Sequence, residues 1–224
     1  MPHIFITREL GSASPLRLRL EAAGHSVSGF SLVAFRATGG WSLGQLPTLD
    51  WIFFYSSRGT AFFAEGLDGS LPEGVRLAAI GPGTAAAVEE HLGRRPDFVG
   101  NGRPADTARA FEAAAAGCRV LFPRARQSEE SIRKLLGSAI DSVDLIVYEN
   151  HPIGPFACPE ADLLVFTSPL NARAYYDQCP ARGEKLLAIG ETTAAKLREL
   201  GRAEVQVPER PDEASIADFC LKEL

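Results

Sequence analysis

The sequence predicts an α/β fold of two lobes, each a parallel sheet flanked by helices in the doubly wound manner. Three observations carry that expectation. Short apolar runs alternate with helical patterns of roughly 10–15 residues, which places crossover helices between parallel strands. The chain also repeats itself: Asp50 to Gly93, DWIFFYSSRGTAFFAEGL and then VRLAAIGPGTAAAVEEHLG, is echoed by Asp162 to Gly201, DLLVFTSPLNARAYYDQC and then KLLAIGETTAAKLRELG. Asp50 aligns with Asp162 at an offset of 112 and Gly81 with Gly190 at 109, so the copies differ by three residues in the loop between their motifs, where length changes are tolerated. Finally, Ser, Thr and Arg residues gather at the ends of the apolar runs, where strands turn into helices.

Taken in order, the chain opens with a strand from His3 to Thr7, then a helix with Leu16, Leu20 and Ala23 at helical spacing, ended by Gly24. A second strand signal runs from Val27 to Phe35. This opening pair has its own echo: Phe5-Ile6-Thr7-Arg8 aligns with Leu121-Phe122-Pro123-Arg124 at an offset of 116, and Val27 with Val143 at the same offset. The chain is thus a duplicated pair in the order A, B, A′, B′. Arg36 to Thr48, rich in Gly, Ser and Pro, and Asn150 to Glu160, with three prolines, read as connectors. Periodicity leaves open whether A folds with B, or B with A′ while A and B′ close a discontinuous domain.

The 224 residues can hold two domains, and 46% hydrophobic residues suffice for two cores. A net charge of −5 offers no general attraction to nucleic acid or to an anionic membrane, so an anionic ligand has to be held by local groups. No apolar run approaches the roughly 18 residues of a membrane span. Met1-Pro2-His3-Ile4 has neither a basic nor an apolar leader segment, and a cytoplasmic protein is expected. Cys118, Cys158, Cys179 and Cys220 lie far apart with no Cys-x-x-Cys pair, which predicts reduced thiols. His3, His25, His91 and His151 fall at no metal-ligand spacing, and none of the serines stands in a G-x-S-x-G elbow.

In an open parallel sheet, ligands sit beyond the carboxyl ends of the strands. The polar residues predicted there are Thr7, Arg8, Ser56, Ser57, Thr84, Arg124, Thr167, Ser168, Thr192 and Thr193. A Ser or Thr at a helix start is first of all an N-cap. Several helix N-termini facing one cleft would also make a row of anion sites. Gly81-Pro82-Gly83-Thr84-Ala85-Ala86 fits the loose dinucleotide fingerprint, but its twin at Gly190-Glu191-Thr192 lacks the second glycine and puts a carboxylate where phosphate would lie. Backbone approach is the better role for these glycines. Tyr148 closes the run Leu145-Ile146-Val147 where the second connector begins. It is either an aromatic packed at a hinge or a phenol able to give a proton to a departing oxygen.

TSP before a helix, AIG-x-x-TA before a helix, an opening strand ending in Thr-Arg and a strand ending in Val-Tyr together resemble the uroporphyrinogen-III synthase family. The resemblance runs from Ile4 to the last helix. It implies two flavodoxin-like lobes joined by a two-stranded connector, with a ligand cleft between them. Residues 1–35 and 152–224 would form a discontinuous domain, and 36–151 an inserted one. It further implies a cofactor-independent lyase that cyclises hydroxymethylbilane, a linear tetrapyrrole with eight carboxylates, to uroporphyrinogen III. Water is lost and the last pyrrole ring is inverted through a spiro intermediate.

Carried over by the resemblance, substrate-binding positions fall on Thr7, Arg8, Ser56, Gly81, Thr84, Arg124, Thr167, Ser168, Lys185, Gly190 and Thr192, with Tyr148 as the group assisting hydroxyl departure and no metal. A monomer with no nucleic-acid or membrane partner is expected. Two departures weaken the inserted lobe: Tyr55 stands where the motif has Thr, and Arg58 replaces a common Asn. Two other readings stand beside the enzyme: a cytosolic bilobal sensor for a polycarboxylate, closing by a hinge, and a nucleotide-using transferase resting on GPGTAA.

Overall fold

The computed structural model describes residues 1–128 and 132–224. In chain order the elements are β1 (His3–Ile6), α1 (Pro15–Ala22), β2 (Ser26–Gly29), β3 (Val33–Ala37), β4 (Trp51–Phe54), α2 (Ser57–Gly66), β5 (Arg76–Ala79) and α3 (Pro82–Leu92). There follow β6 (Phe98–Val99), α4 (Pro104–Ala115), β7 (Arg119–Ala125) and β8 (Asp141–Pro152). The last part holds β9 (Leu163–Phe166), α5 (Pro169–Tyr176), β10 (Lys185–Ala188), α6 (Glu191–Glu199), β11 (Val205–Gln206) and α7 (Glu213–Glu223).

The chain forms two compact units, Met1–Ala34 with His151–Leu224, and Phe35–Asn150. The first holds a sheet in the order β11-β10-β9-β1-β2, all parallel. The second holds β3-β8-β7-β4-β5-β6, in which β8, β7, β4, β5 and β6 run parallel. Leaving β3 aside, the two orders are the same order: the strands of A pair with those of B′, and those of A′ with those of B. The strand order reverses between β1 and β9 in one sheet and between β7 and β4 in the other, and such switch points are where open sheets bind ligands.

Both faces of each sheet are covered, so its strands are apolar throughout rather than alternating. Ile4 and Ile6 of β1 join Leu16 and Leu20 of α1 and Ile216 and Cys220 of α7 in one core. Phe5 points the other way and meets Phe30 edge-on at 5.0 Å. In β4 the same alternation puts Ile52 and Phe54 with Phe63 of α2. Trp51 and Phe53 pack on Phe111 of α4 at 5.3 and 4.7 Å. Burial of Phe5, Phe53, Phe54, Phe63 and Phe111, each fully buried, contributes about 1.5–3 kcal/mol apiece.

Three expectations are corrected. The single strand expected over Val27 to Phe35 is two, β2 in the first sheet and β3 in the second, because the chain leaves one unit here and enters the other. Arg36 to Thr48 is more than a connector: Trp41 stacks on Phe63 at 5.4 Å, Leu43 and Leu46 join the same core, and Leu43–Gln45 forms a 3-10 turn. Cys158 and Cys179 are not free thiols but a disulfide with Cα atoms 5.6 Å apart. The loop after β8 returns across the end of α5, and a spacing of 21 residues carries no sign of that. Cys118 and Cys220 are free, and burial pushes the Cys220 thiol up to about 12.

Candidate active site

At the first unit's switch point, Thr7 follows β1 and Thr167 follows β9. Thr7 is fully buried. Its hydroxyl donates to the Val165 carbonyl at 3.2 Å and accepts from the Thr167 N–H at 3.0 Å, while the Thr167 hydroxyl donates to the Thr7 carbonyl at 2.8 Å. The two threonines thus close the gap between adjacent strand ends, and Thr7 is scaffold rather than a surface open to ligand. Arg8 pairs with Glu213 at 2.5 Å, and the same carboxylate accepts from the Ser14 hydroxyl and the Leu16 N–H. Ser168 is the N-cap of α5, accepting from the Asn171 N–H at 3.1 Å and its Nδ2 at 3.0 Å. Asn171 in turn takes the Leu32 N–H at 2.8 Å.

Gly190 behaves differently from these self-satisfied groups. It is the N-cap of α6, supplies no side-chain cap, and a Cβ there would meet nothing within 4 Å. The first N–H groups of α6 are therefore open beside exposed Thr192. Glu191, also in that turn, reaches Arg198 at 3.2 Å.

The second unit repeats the division. Ser56 caps α2 by accepting from the Gly59 N–H at 3.1 Å. Gly81 caps α3 with no side chain, and here the glycine is required: a Cβ would lie 2.9 Å from the Gly102 Cα. The Ser57 hydroxyl donates to the Gly83 carbonyl at 3.1 Å, which brings the starts of α2 and α3 together. Thr84 is buried in the first turn of α3. Arg124, the twin of Arg8, is likewise paired, with Asp144 at 3.1 Å. Of the helix starts in the two motif copies, those after Ser carry a side-chain cap on one N–H and those after Ile-Gly carry none.

Tyr148, in β8, is mostly buried, with its ring stacked on Phe62 of α2 at 4.9 Å and tilted against Phe35 of β3 at 6.1 Å. Its hydroxyl makes no hydrogen bond among the described residues. Two other tyrosines, on α5, are poor proton carriers near neutrality: burial, with the Glu184 carboxylate adding to it, pushes Tyr175 up to about 12 and raises Tyr176 further.

Lys185 does not belong with the rest. It opens β10, opposite Leu163 at the start of β9, so it stands at the amino ends of the strands while Thr167 and Gly190 follow their carboxyl ends. There its ammonium bonds the Glu223 carbonyl at 2.5 Å and faces the Glu223 carboxylate at 3.5 Å. That position sets Lys185 apart from the other positions carried over by the resemblance. The carboxylates that neutralise Arg8 and Arg124 went unnoticed in the sequence. Glu213 is 205 residues from Arg8 and opens α7 behind its N-cap Asp212, and nothing in the sequence beside either residue announces the pair.

The family model described as uroporphyrinogen-III synthase HemD matches residues 14–218. The chain belongs to the uroporphyrinogen-III synthase family. The chloroplastic uroporphyrinogen-III synthase of rice, Oryza sativa subsp. japonica, is 24% identical over 94% of this chain and 76% of its own. Uroporphyrinogen-III synthetase from Helicobacter pylori 26695 shares the fold with a TM-score of 0.74 at 19% identity, covering 99% of both chains. A mutant uroporphyrinogen III synthase from the extremely thermophilic bacterium Thermus thermophilus matches with a TM-score of 0.56 at 17% identity over 98% of both. Family membership favours the enzyme over the sensor and the nucleotide-using transferase. Among the described residues no helix is long and apolar enough to cross a membrane.

Proposed function

We propose that this chain is a uroporphyrinogen-III synthase, closing hydroxymethylbilane to uroporphyrinogen III with inversion of the last pyrrole ring and loss of water. The family match across residues 14–218 is the observation that carries the reading. Loss of the hydroxyl turns the bilane into an electrophilic azafulvene. Closure must then come from the substituted carbon of the final ring, giving the spiro intermediate, rather than from its free carbon. Selecting between two intramolecular attacks is a matter of position, and a fixed geometry can supply on the order of 7–11 kcal/mol in good cases. No metal or organic cofactor is required by this chemistry.

The substrate's acetates and propionates suit uncapped helix starts, each contributing ~0.3–1 kcal/mol when exposed. Those following Gly81 and Gly190 meet that description, with Thr84 and Thr192 in the same turns. Tyr148 is proposed to hand its phenolic proton to the departing hydroxyl, which leaves as water, and to be reprotonated as the macrocycle is completed. Its fixed ring and unengaged oxygen support that assignment. The protein is expected to act as a cytoplasmic monomer.

The test is to supply enzymatically generated hydroxymethylbilane and resolve the products by chromatography. Type III isomer is expected; type I alone would overturn the reading.

A further inference from the structure

The arginines that the sequence placed beside the motifs, Arg8 and Arg124, are both neutralised by carboxylates of their own units. Arg58 is not. It lies in the first turn of α2, exposed, and makes no hydrogen bond or ion pair among the described residues. Its guanidinium is nonetheless held in place, 3.7 Å from the centroid of the Phe35 ring.

That location opposes two ordinary preferences. A helix start favours anions, and α2 has no acidic residue in its first turn to offset the cation. A guanidinium without a counter-charge retains its full capacity to bind one, and stacking on an aromatic face leaves the edge of its donor fork free. Ser56 and Ser57 precede it, and Ser57 ties this turn to the uncapped start of α3 through the Gly83 carbonyl. One turn along α2, Phe62 stacks on Tyr148, and Phe35 touches the same tyrosine. The cation and the phenol are therefore braced by one group of aromatic rings.

We propose that Arg58 binds a carboxylate of the substrate through a bidentate, charge-assisted pair and so sets the enzyme's affinity for the bilane, a role that rests on the synthase reading above. Because the guanidinium is held by Phe35 before any ligand arrives, little side-chain freedom is lost on pairing. The interaction is made equally in ground and transition states, so it acts on KM rather than on kcat.

Arg58→Gln and Arg58→Lys are compared with wild type by steady-state kinetics on hydroxymethylbilane at low and high salt. Affinity for uroporphyrin III, an octacarboxylate, is measured by fluorescence titration. Arg58→Gln is expected to raise KM and the uroporphyrin Kd by about tenfold, leave kcat within about twofold, and flatten the salt dependence. Arg58→Lys should recover part of the affinity, since it keeps the charge and loses the fork. Arg95→Gln removes an equal charge beyond the far end of α3, where Arg95 pairs with Glu89 at 3.0 Å, and should leave both constants unchanged. Equal KM and Kd in wild type and Arg58→Gln, with matching melting temperatures, would overturn the proposal. A wild type that binds uroporphyrin III through Arg58 yet makes only type I product would instead overturn the reaction and leave the carboxylate site standing.

Discussion

The Thr7 hydroxyl accepts the Thr167 N–H at 3.0 Å while the Thr167 hydroxyl donates to the Thr7 carbonyl at 2.8 Å, so two residues 160 positions apart satisfy each other at the switch point of one sheet. Thr7→Val keeps the shape but leaves the Thr167 N–H without its acceptor, a loss of about 1–3 kcal/mol. Urea unfolding should show that loss, and kcat/KM of the folded fraction should stay within a few-fold of wild type. A large drop in turnover with normal stability would return Thr7 to the substrate.

Tyr148→Phe removes only the phenolic oxygen, since stacking on Phe62 and Phe35 holds either ring. Formation of the type III isomer is expected to slow by ~10-fold or more, in or just below the range of general-acid effects. Unchanged turnover in a stably folded variant would leave Tyr148 as packing alone.

Lys185→Met should leave isomer ratio, kcat and KM as they are, because Lys185 sits at the amino ends of the strands and serves the end of α7 through Glu223. The expected effect is a small fall in thermal stability, within the ~0–1 kcal/mol typical of exposed pairs. A raised KM would restore the carry-over from the family.

The Cys158–Cys179 bridge closes a loop of 21 residues, and removing it should cost about 3 kcal/mol by chain entropy. Alkylation followed by mass spectrometry gives the direct reading. Without reductant, Cys118 alone should be labelled in the native protein and Cys220 only after unfolding; with reductant, Cys158 and Cys179 join them. Four free thiols in unreduced, unfolded protein would show that the pair is not bonded, as the usual state of cytosolic cysteines would have it.

Asp212 caps α7 by accepting the Ser215 N–H at 2.8 Å, and that backbone bond holds its carboxyl below the ordinary value of 3.8. With the folded value depressed, the stabilisation is present above pH 3.8 and disappears as pH falls through the lower folded value. Asp212→Asn keeps a cap without the charge, so the difference in melting temperature between wild type and variant should be largest near neutrality and vanish in strong acid. A difference independent of pH would remove the charge from the cap's contribution.

Much of this architecture was legible in the residues. The βα alternation, the doubled motifs, Gly24 ending α1 and the Ser caps of α2 and α5 all follow from local preferences that a short window contains. Partners chosen over long separations were not legible: Glu213 for Arg8, Asp144 for Arg124 and Cys179 for Cys158 have nothing in their local sequence to announce the pairing. Nor was the contrast between the two helix starts within each motif copy, since a Ser-capped and a glycine-capped start look equally suited to an anion until the partner of the cap is known.

By itself the sequence determined that this protein is built twice from the same strand-and-helix pattern, that its polar residues lie at strand ends, and that its order of motifs is that of one family. Periodicity left the pairing of A, B, A′ and B′ open and the resemblance implied it; the tertiary structure shows A paired with B′ and A′ with B, and only it decided that Lys185 stands at the amino ends of the strands and that Arg58 alone of the arginines beside the motifs has no carboxylate among the described residues. The reason is physical: periodicity and capping are energies of neighbours along the chain, whereas strand pairing and charge pairing are energies of neighbours in space, and a duplicated chain offers the first twice over without choosing among the second.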